Sequence, residues 1–198
     1  MQQLIPLIKD LADALQRAQL RFAFGGALAN NYWGIIRTTQ DVDCLVAIPA
    51  LKYQVLADEL NGMGCTLRDS SNNVSPLSVI QMRAAVDQRK LIECFRGSIR
   101  VELFVPVVPL QEEILRRAAV LPLDDRQIPV TTAEDLILLK LAFHREKDLH
   151  DVRGMLWVQR GRLDLDYLKH WSARTLEDPV QQELTTLIEQ YADPPEES

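Results

Sequence analysis

Asp41 and Asp43 are the residues of this 198-residue chain best placed by type and spacing to do chemistry. They stand at the mouth of a run over 42–48 that is apolar and β-branched enough for a buried strand, which Pro49 ends. Side chains two apart on a strand share a face, so both carboxylates point the same way. Carboxylates that close repel and raise one another's pKa unless a cation lies between them. Hard oxygen ligands of this kind suit Mg²⁺, which takes one or two carboxylates together with substrate phosphates. Upstream, Gly25-Gly26 separates a short strand at 21–24 from a helix at 27–33 closed by Gly34. Glycine permits a tight turn and close approach of a phosphate, and the following helix offers free N–H groups and a positive dipole end. A third acid, Glu102, lies within the apolar run 99–105. A carboxylate there needs a partner or a metal. Beside the strand of Asp41 and Asp43 it would complete a three-acid centre; on an edge strand it would simply face solvent.

The elements around these residues read as a mixed α/β half followed by a helical one. Leu4, Leu7, Ile8, Leu11, Ala14, Leu15 and Ala18 recur at helical spacing and predict an amphipathic first helix. A helix is expected over 51–63, a strand over 65–68 and a polar loop over 70–75. Residues 76–88 read as a helix starting at Pro76 or, in part, as strand. Runs at 90–95 and 99–105 flank Arg96-Gly97-Ser98 and predict a β-hairpin. A helix near 110–119 and a small extended hairpin turning at Asp124-Asp125 come next. Thr131-x-x-Glu134 is a capping-box pattern opening a strong helix that runs to about Arg145, with two or three helices beyond. The fold class is α+β with a mixed sheet: a core over 1–108, a mainly helical C-terminal region over 109–192 and an acidic, Pro-rich, disordered tail over 193–198.

Composition narrows the function classes. A formal charge of −6 and a pI near 5.1 oppose tight, sequence-blind nucleic-acid binding, which needs many cations on phosphates. Cys44, Cys65 and Cys94 form no CxxC pair, so neither a zinc site nor a disulfide framework is indicated, and a reducing cytoplasm is expected. Pro6, Lys9, Asp10, Asp13, Gln16 and Arg17 interrupt the first helix, which reads as neither a signal core nor a membrane span. His144 and His150 are six apart, not at the i,i+4 spacing of a helical zinc pair, and read as surface residues. Trp33, Trp157 and Trp171 read as packing residues and the cysteines as core filler.

In this order and spacing the motifs resemble the nucleotidyltransferase superfamily of DNA polymerase β type. The nearest flavour is its minimal branch related to the AbiEii and AbiGii toxins. That family's pattern is Gly-Gly or Gly-Ser, a short helix, Asp-x-Asp and a third acid on a later strand; here Gly25-Gly26, Asp41-Val42-Asp43 and Glu102 supply it. The third acid is usually Asp, and Glu102 reaches further. An Arg-x-Thr-x-Asp-x-Asp lead-in is matched by Arg37-Thr38-Thr39-Gln40-Asp41-Val42-Asp43, and a later Lys followed by Lys-Asp-x-x-Asp is matched by Lys140 and Lys147-Asp148-Leu149-His150-Asp151. The resemblance implies Mg²⁺ or Mn²⁺ on Asp41, Asp43 and Glu102, and an NTP cradled at Gly25 and Gly26. It implies that Arg37, Thr38, Lys140, Lys147 and Asp148 contribute to nucleotide binding. On a continuous helix, Lys140, His144, Lys147 or Asp148, and Asp151 lie at helical spacing on one face.

Three functions follow as expectations. The first is an enzyme moving a nucleoside monophosphate from an NTP to a hydroxyl of tRNA, protein or a small molecule. It would act in the cytoplasm without a membrane, in the manner of a toxin with an antitoxin partner. The second is a nucleotide-binding or regulatory module of the same fold without turnover. The third is an interaction scaffold whose helical half is a docking surface.

Overall fold

Leu7, Ile8, Leu11, Ala14 and Leu15 line the buried stripe of helix α1 (Leu4–Arg17) in the computed structural model, which describes residues 3–88 and 91–192. The chain divides into two compact units. One comprises the residues up to Ala27 together with Thr38–Val130; the other comprises Leu28–Arg37 together with the residues from Thr131 onward.

The first unit is built on a six-stranded mixed sheet. Its strands are β1 (Arg21–Phe24), β2 (Asp41–Ala47), β5 (Ile92–Arg96), β6 (Ile99–Phe104), β7 (Ala119–Leu123) and β8 (Arg126–Val130), in the order β5-β6-β2-β1-β8-β7. β5 and β6 form the hairpin expected around Gly97; Lys90, assigned to its first strand, lies outside the described residues. β6 then pairs parallel with β2, and β2 antiparallel with β1. The hairpin expected to turn at Asp124-Asp125 is present. β7 and β8 pair antiparallel, and β8 joins the main sheet through Phe24 opposite Val130. The sheet of the first unit therefore includes strands well past residue 108, and Ile128 and Val130 of β8 are fully buried apolar positions.

Helices α3 (Tyr53–Gly62), α4 (Val79–Asp87) and α5 (Pro109–Arg117) complete this unit with α1. A 3-10 turn over Ala50–Lys52 precedes α3. Helix α4 begins at Val79 rather than Pro76, since the Ser78 side chain accepts from the Gln81 amide and caps it there. Strand character near 65–68 shrinks to a two-residue pair, β3 (Leu67–Arg68) with β4 (Val74–Ser75). Asp69 ties the intervening loop by accepting from the amides of Ser71 and Asn73.

The second unit gathers the end of α2 (Gly26–Trp33), the loop after it, and α6 (Ala133–Phe143), α7 (Glu146–Val158), α8 (Leu165–Thr175) and α9 (Asp178–Tyr191). The cap of α6 is Thr132, one residue later than the capping box predicts: its side chain accepts from the Asp135 amide at 3.3 Å. α6 ends at Phe143, two residues before the expected end near Arg145. His144 takes a left-handed conformation with φ 51° and closes it, so α6 and α7 are separate helices. The indole of Trp33 donates to the Thr131 carbonyl at 2.7 Å, whereas Trp157 is 55% exposed, against the packing role expected of it, with the Arg160 guanidinium over its ring. Among the described residues no helix is long and apolar enough to cross a membrane. The tail over 193–198 lies outside the described residues.

Candidate active site

The parallel register of β2 and β6 sets Asp41 opposite Arg100 and Asp43 opposite Glu102. Val42, Cys44, Val101 and Leu103 take the alternate, buried positions of the same strands, which leaves Asp41, Asp43, Arg100 and Glu102 on one face. Glu102 is therefore no edge residue. It is flanked by Asp43 on β2 and by Glu93 on β5, and its side chain is only 15% exposed. Burial, then a hydrogen bond and repulsion from Asp43, push its carboxyl up to about 7 from 4.5.

That displacement carries a pH signature in chelator-treated protein. Between about 4.5 and about 7 the folded chain holds a proton that the unfolded chain has lost, so folding is favoured at the lower end and the contribution disappears as pH rises through about 7. Glu102→Gln removes the titration. The variant is expected to gain on the parent by on the order of 2 kcal/mol between about pH 5 and about pH 8 in urea denaturation. Parallel pH profiles for the two proteins would contradict it.

Two backbone features hold the acids in place. The Thr39 hydroxyl donates to the Asp41 carbonyl and accepts from the Asp41 amide, both at 3.1 Å, fixing the mouth of β2. The Gly25 amide donates to the Asp43 carbonyl at 2.9 Å, so this amide is used within the fold rather than offered to a phosphate. Gly26 opens α2 with φ +54°, and a Cβ built on it would lie 1.8 Å from Asp43 Oδ2. Only glycine lets Asp43 stand where it does. Gly26→Ala is expected to cost about 2 kcal/mol of stability through the left-handed backbone and the displaced carboxylate. Metal affinity should fall with it; a protein of unchanged stability and Mn²⁺ binding would contradict this reading.

Arg100 is the residue sequence reasoning missed. Its Nε donates to Asp41 Oδ1 at 3.2 Å and its Nη2 to Asp41 Oδ2 at 2.9 Å, while Nη1 lies 3.4 Å from Glu102 Oε1 and 3.6 Å from Glu93 Oε2. Its position two before Glu102 was the available signal, since i and i+2 share a face.

The remaining expected nucleotide-binding residues belong to the second unit, except Thr38, which is exposed in the first. Lys140 is buried, with its ammonium 2.6 Å from Asp151 Oδ2 and 3.4 Å from Asp148 Oδ1. It meets them because the chain breaks at His144, not because one helix face carries all three. Arg37 adds a two-point contact to Asp151 at 3.2 and 3.1 Å, and Asn31 fixes the Arg37 backbone by accepting from its amide and donating to its carbonyl. Arg145 pairs with Asp148 at 2.5 Å. Burial raises the Asp148 carboxyl, but Arg145 and Lys140 outweigh it and hold the group below its ordinary range. Lys147 stands exposed on α7. His144 and His150 are exposed as expected, His144 beside Glu183 at 2.5 Å.

The donor set of Asp41, Asp43 and Glu102 fits a hard divalent cation: three carboxylates on adjoining strands, one raised to about 7 by burial and by its neighbour Asp43, with Gly26 leaving room at Asp43. Among the described residues no three such side chains already stand close enough to share one ion.

No family model matches the chain, and no curated protein matches it. Solved structures do. An antigenic nucleotidyltransferase-like protein from Paracoccidioides brasiliensis superposes with a TM-score of 0.55 at 15% identity, covering 98% of this chain and 95% of that one. The antibiotic-resistance factor ANT(2'')-Ia, in solution, gives 0.55 at 11% identity over 96% and 97%. ANT(2'')-Ia in complex with adenylyl-2''-tobramycin gives 0.55 at 13% identity over 88% and 97%. The chain has the nucleotidyltransferase-like fold, with its mixed sheet and helical C-terminal part.

Proposed function

We propose that the chain is a nucleotidyltransferase that moves a nucleoside monophosphate from an NTP to a hydroxyl acceptor. The observation that carries this reading is the register of β2 and β6, which brings Glu102 beside Asp43 and next to Asp41 on one face. Asp41, Asp43 and Glu102 would hold Mg²⁺ or Mn²⁺, which when bound neutralises phosphate charge and activates the attacking hydroxyl. Glu102, beside Asp43 on this face, would also help to deprotonate the acceptor hydroxyl. Free amides early in α2, from Gly26 onward, would face the triphosphate, and Gly26 leaves the space they need.

Among acceptors we favour a small molecule. The net charge of −6 opposes a nucleic-acid acceptor. The fold likeness to ANT(2'')-Ia, whose complex holds an adenylylated tobramycin, supports the same choice. The match of Arg37 to Asp43 and of Lys140 to Asp151 with the AbiEii pattern supports a cytoplasmic toxin held by an antitoxin as the biological setting. A second reading, a nucleotide-binding module without turnover, is favoured by one observation: Arg100 already neutralises Asp41.

Calorimetric titration with each NTP, with and without Mg²⁺, tests the binding half. Metal-dependent binding that disappears in Asp43→Asn is expected; binding indifferent to metal and to that substitution would overturn the site.

A further inference from the structure

We infer that Arg100 is a built-in counter-ion that occupies Asp41 in the metal-free protein and must leave it before a divalent cation can be shared between Asp41 and Asp43. The inference rests on the proposed metal site and adds a competitor to it. Four acids crowd this face: Glu93, Glu102 and Asp43 lie in one cross-strand row, and Asp41 stands in the next. Arg100 is the cation paired with them among the described ion pairs, and it reaches Asp41, Glu102 and Glu93 at once.

The geometry makes this a competition. Two guanidinium N–H groups take one Asp41 oxygen each, the two-point fork that matches a carboxylate. A metal ion wants one of the same oxygens and brings two positive charges to the same spot. Both cannot hold Asp41 in this geometry, so ion binding includes the breaking of the Arg100–Asp41 pair. The pair is well placed to be given up. Both side chains are about two-fifths exposed, at 39% and 40%, so solvent takes over the guanidinium as it rotates out. Arg100 cannot deprotonate to get out of the way, because guanidinium stays charged at any relevant pH.

Two consequences separate this role from plain surface charge. Without metal, Arg100 relieves the repulsion among the four acids, so its loss destabilises the empty protein. With metal, the same loss removes the competitor, so affinity rises. A residue that only packed would do the first and not the second.

The test is direct Mn²⁺ binding to nucleotide-free protein, read from the paramagnetic resonance signal of free Mn²⁺, with thermal denaturation in parallel. Arg100→Gln is expected to bind Mn²⁺ about five- to tenfold more tightly than the parent. It should melt lower than the parent in chelator and gain more on saturation with Mn²⁺. Arg100→Lys keeps the charge but loses the fork, and is expected to fall between the two; it carries the test should Arg100→Gln fail to fold. Adding Asp41→Asn to Arg100→Gln should abolish the gain. Equal or weaker Mn²⁺ binding in both Arg100 variants, with binding still lost in Asp41→Asn, would overturn the role of Arg100 while leaving the metal site standing. No Mn²⁺ binding by the parent or by either Arg100 variant at millimolar ion would overturn the metal site and this inference together.

Discussion

Asp41→Asn is expected to lower nucleotidyl transfer by at least about a thousandfold, with little change in thermal stability. The amide keeps the size of the carboxylate but loses the charge that a divalent ion requires of a ligand. The fold should hardly notice. Asp41 is 40% exposed and its side-chain partner is Arg100, itself 39% exposed, and an ion pair so open to water is worth about 1 kcal/mol or less. The backbone of Asp41 is held through its amide and carbonyl by Thr39, and those bonds survive the substitution. Transfer rates and melting curves on the same preparation decide it. A folded Asp41→Asn protein that transfers at the parent's rate would exclude this face as the catalytic centre.

Lys140→Ala is expected to act in the opposite manner, costing about 3–5 kcal/mol of stability and lowering the melting temperature by about 10 °C or more. Family resemblance alone points to a phosphate-binding lysine, whose loss would weaken NTP binding more than it disturbs folding. The observed surroundings reverse that order. Lys140 is 6% exposed and its partners Asp148 and Asp151 are 1% and 3% exposed, so truncating it leaves two carboxylates in the interior with their charge partly uncompensated. Arg145 still reaches Asp148 and Arg37 still reaches Asp151, which keeps the loss short of collapse. Adding Asp151→Asn to Lys140→Ala removes the worst-placed charge and should recover part of the stability. Urea denaturation of the three proteins reads this out. A Lys140→Ala protein as stable as the parent but weak in NTP binding would return the lysine to the triphosphate.

These two residues also mark where the sequence was readable and where it was not. The strand of Asp41 and Asp43, the Gly25-Gly26 turn and the hairpin around Gly97 were legible because alternation and glycine placement are local signals. The nearness of Glu102 to Asp43 was reachable only as a condition, since parallel pairing joins strands distant in the chain. Arg100 shared a face with Glu102 on the same grounds, yet its attachment to Asp41 depends on which strand lies next door. The end of α6 was placed only approximately, near Arg145. His144 adopts φ 51° without a glycine or proline to announce it, so the lysine and aspartates that looked like one exposed face became a buried cluster between two helices. β7 and β8 were legible as a hairpin but not as part of the main sheet, because the single bridge from Val130 to Phe24 that ties them to it spans about a hundred residues of chain.

The central claim is transfer itself, and α-phosphate-labelled NTPs test it most directly. Each is incubated with the protein, Mg²⁺ or Mn²⁺, and separated RNA, protein and small-metabolite fractions of a cell extract, with Asp41→Asn/Asp43→Asn alongside. Label entering one fraction, the small-molecule one by the present reading, and missing from the double variant is the predicted result. Label that enters no fraction with any nucleotide or metal, or that enters equally with the double variant, would contradict it.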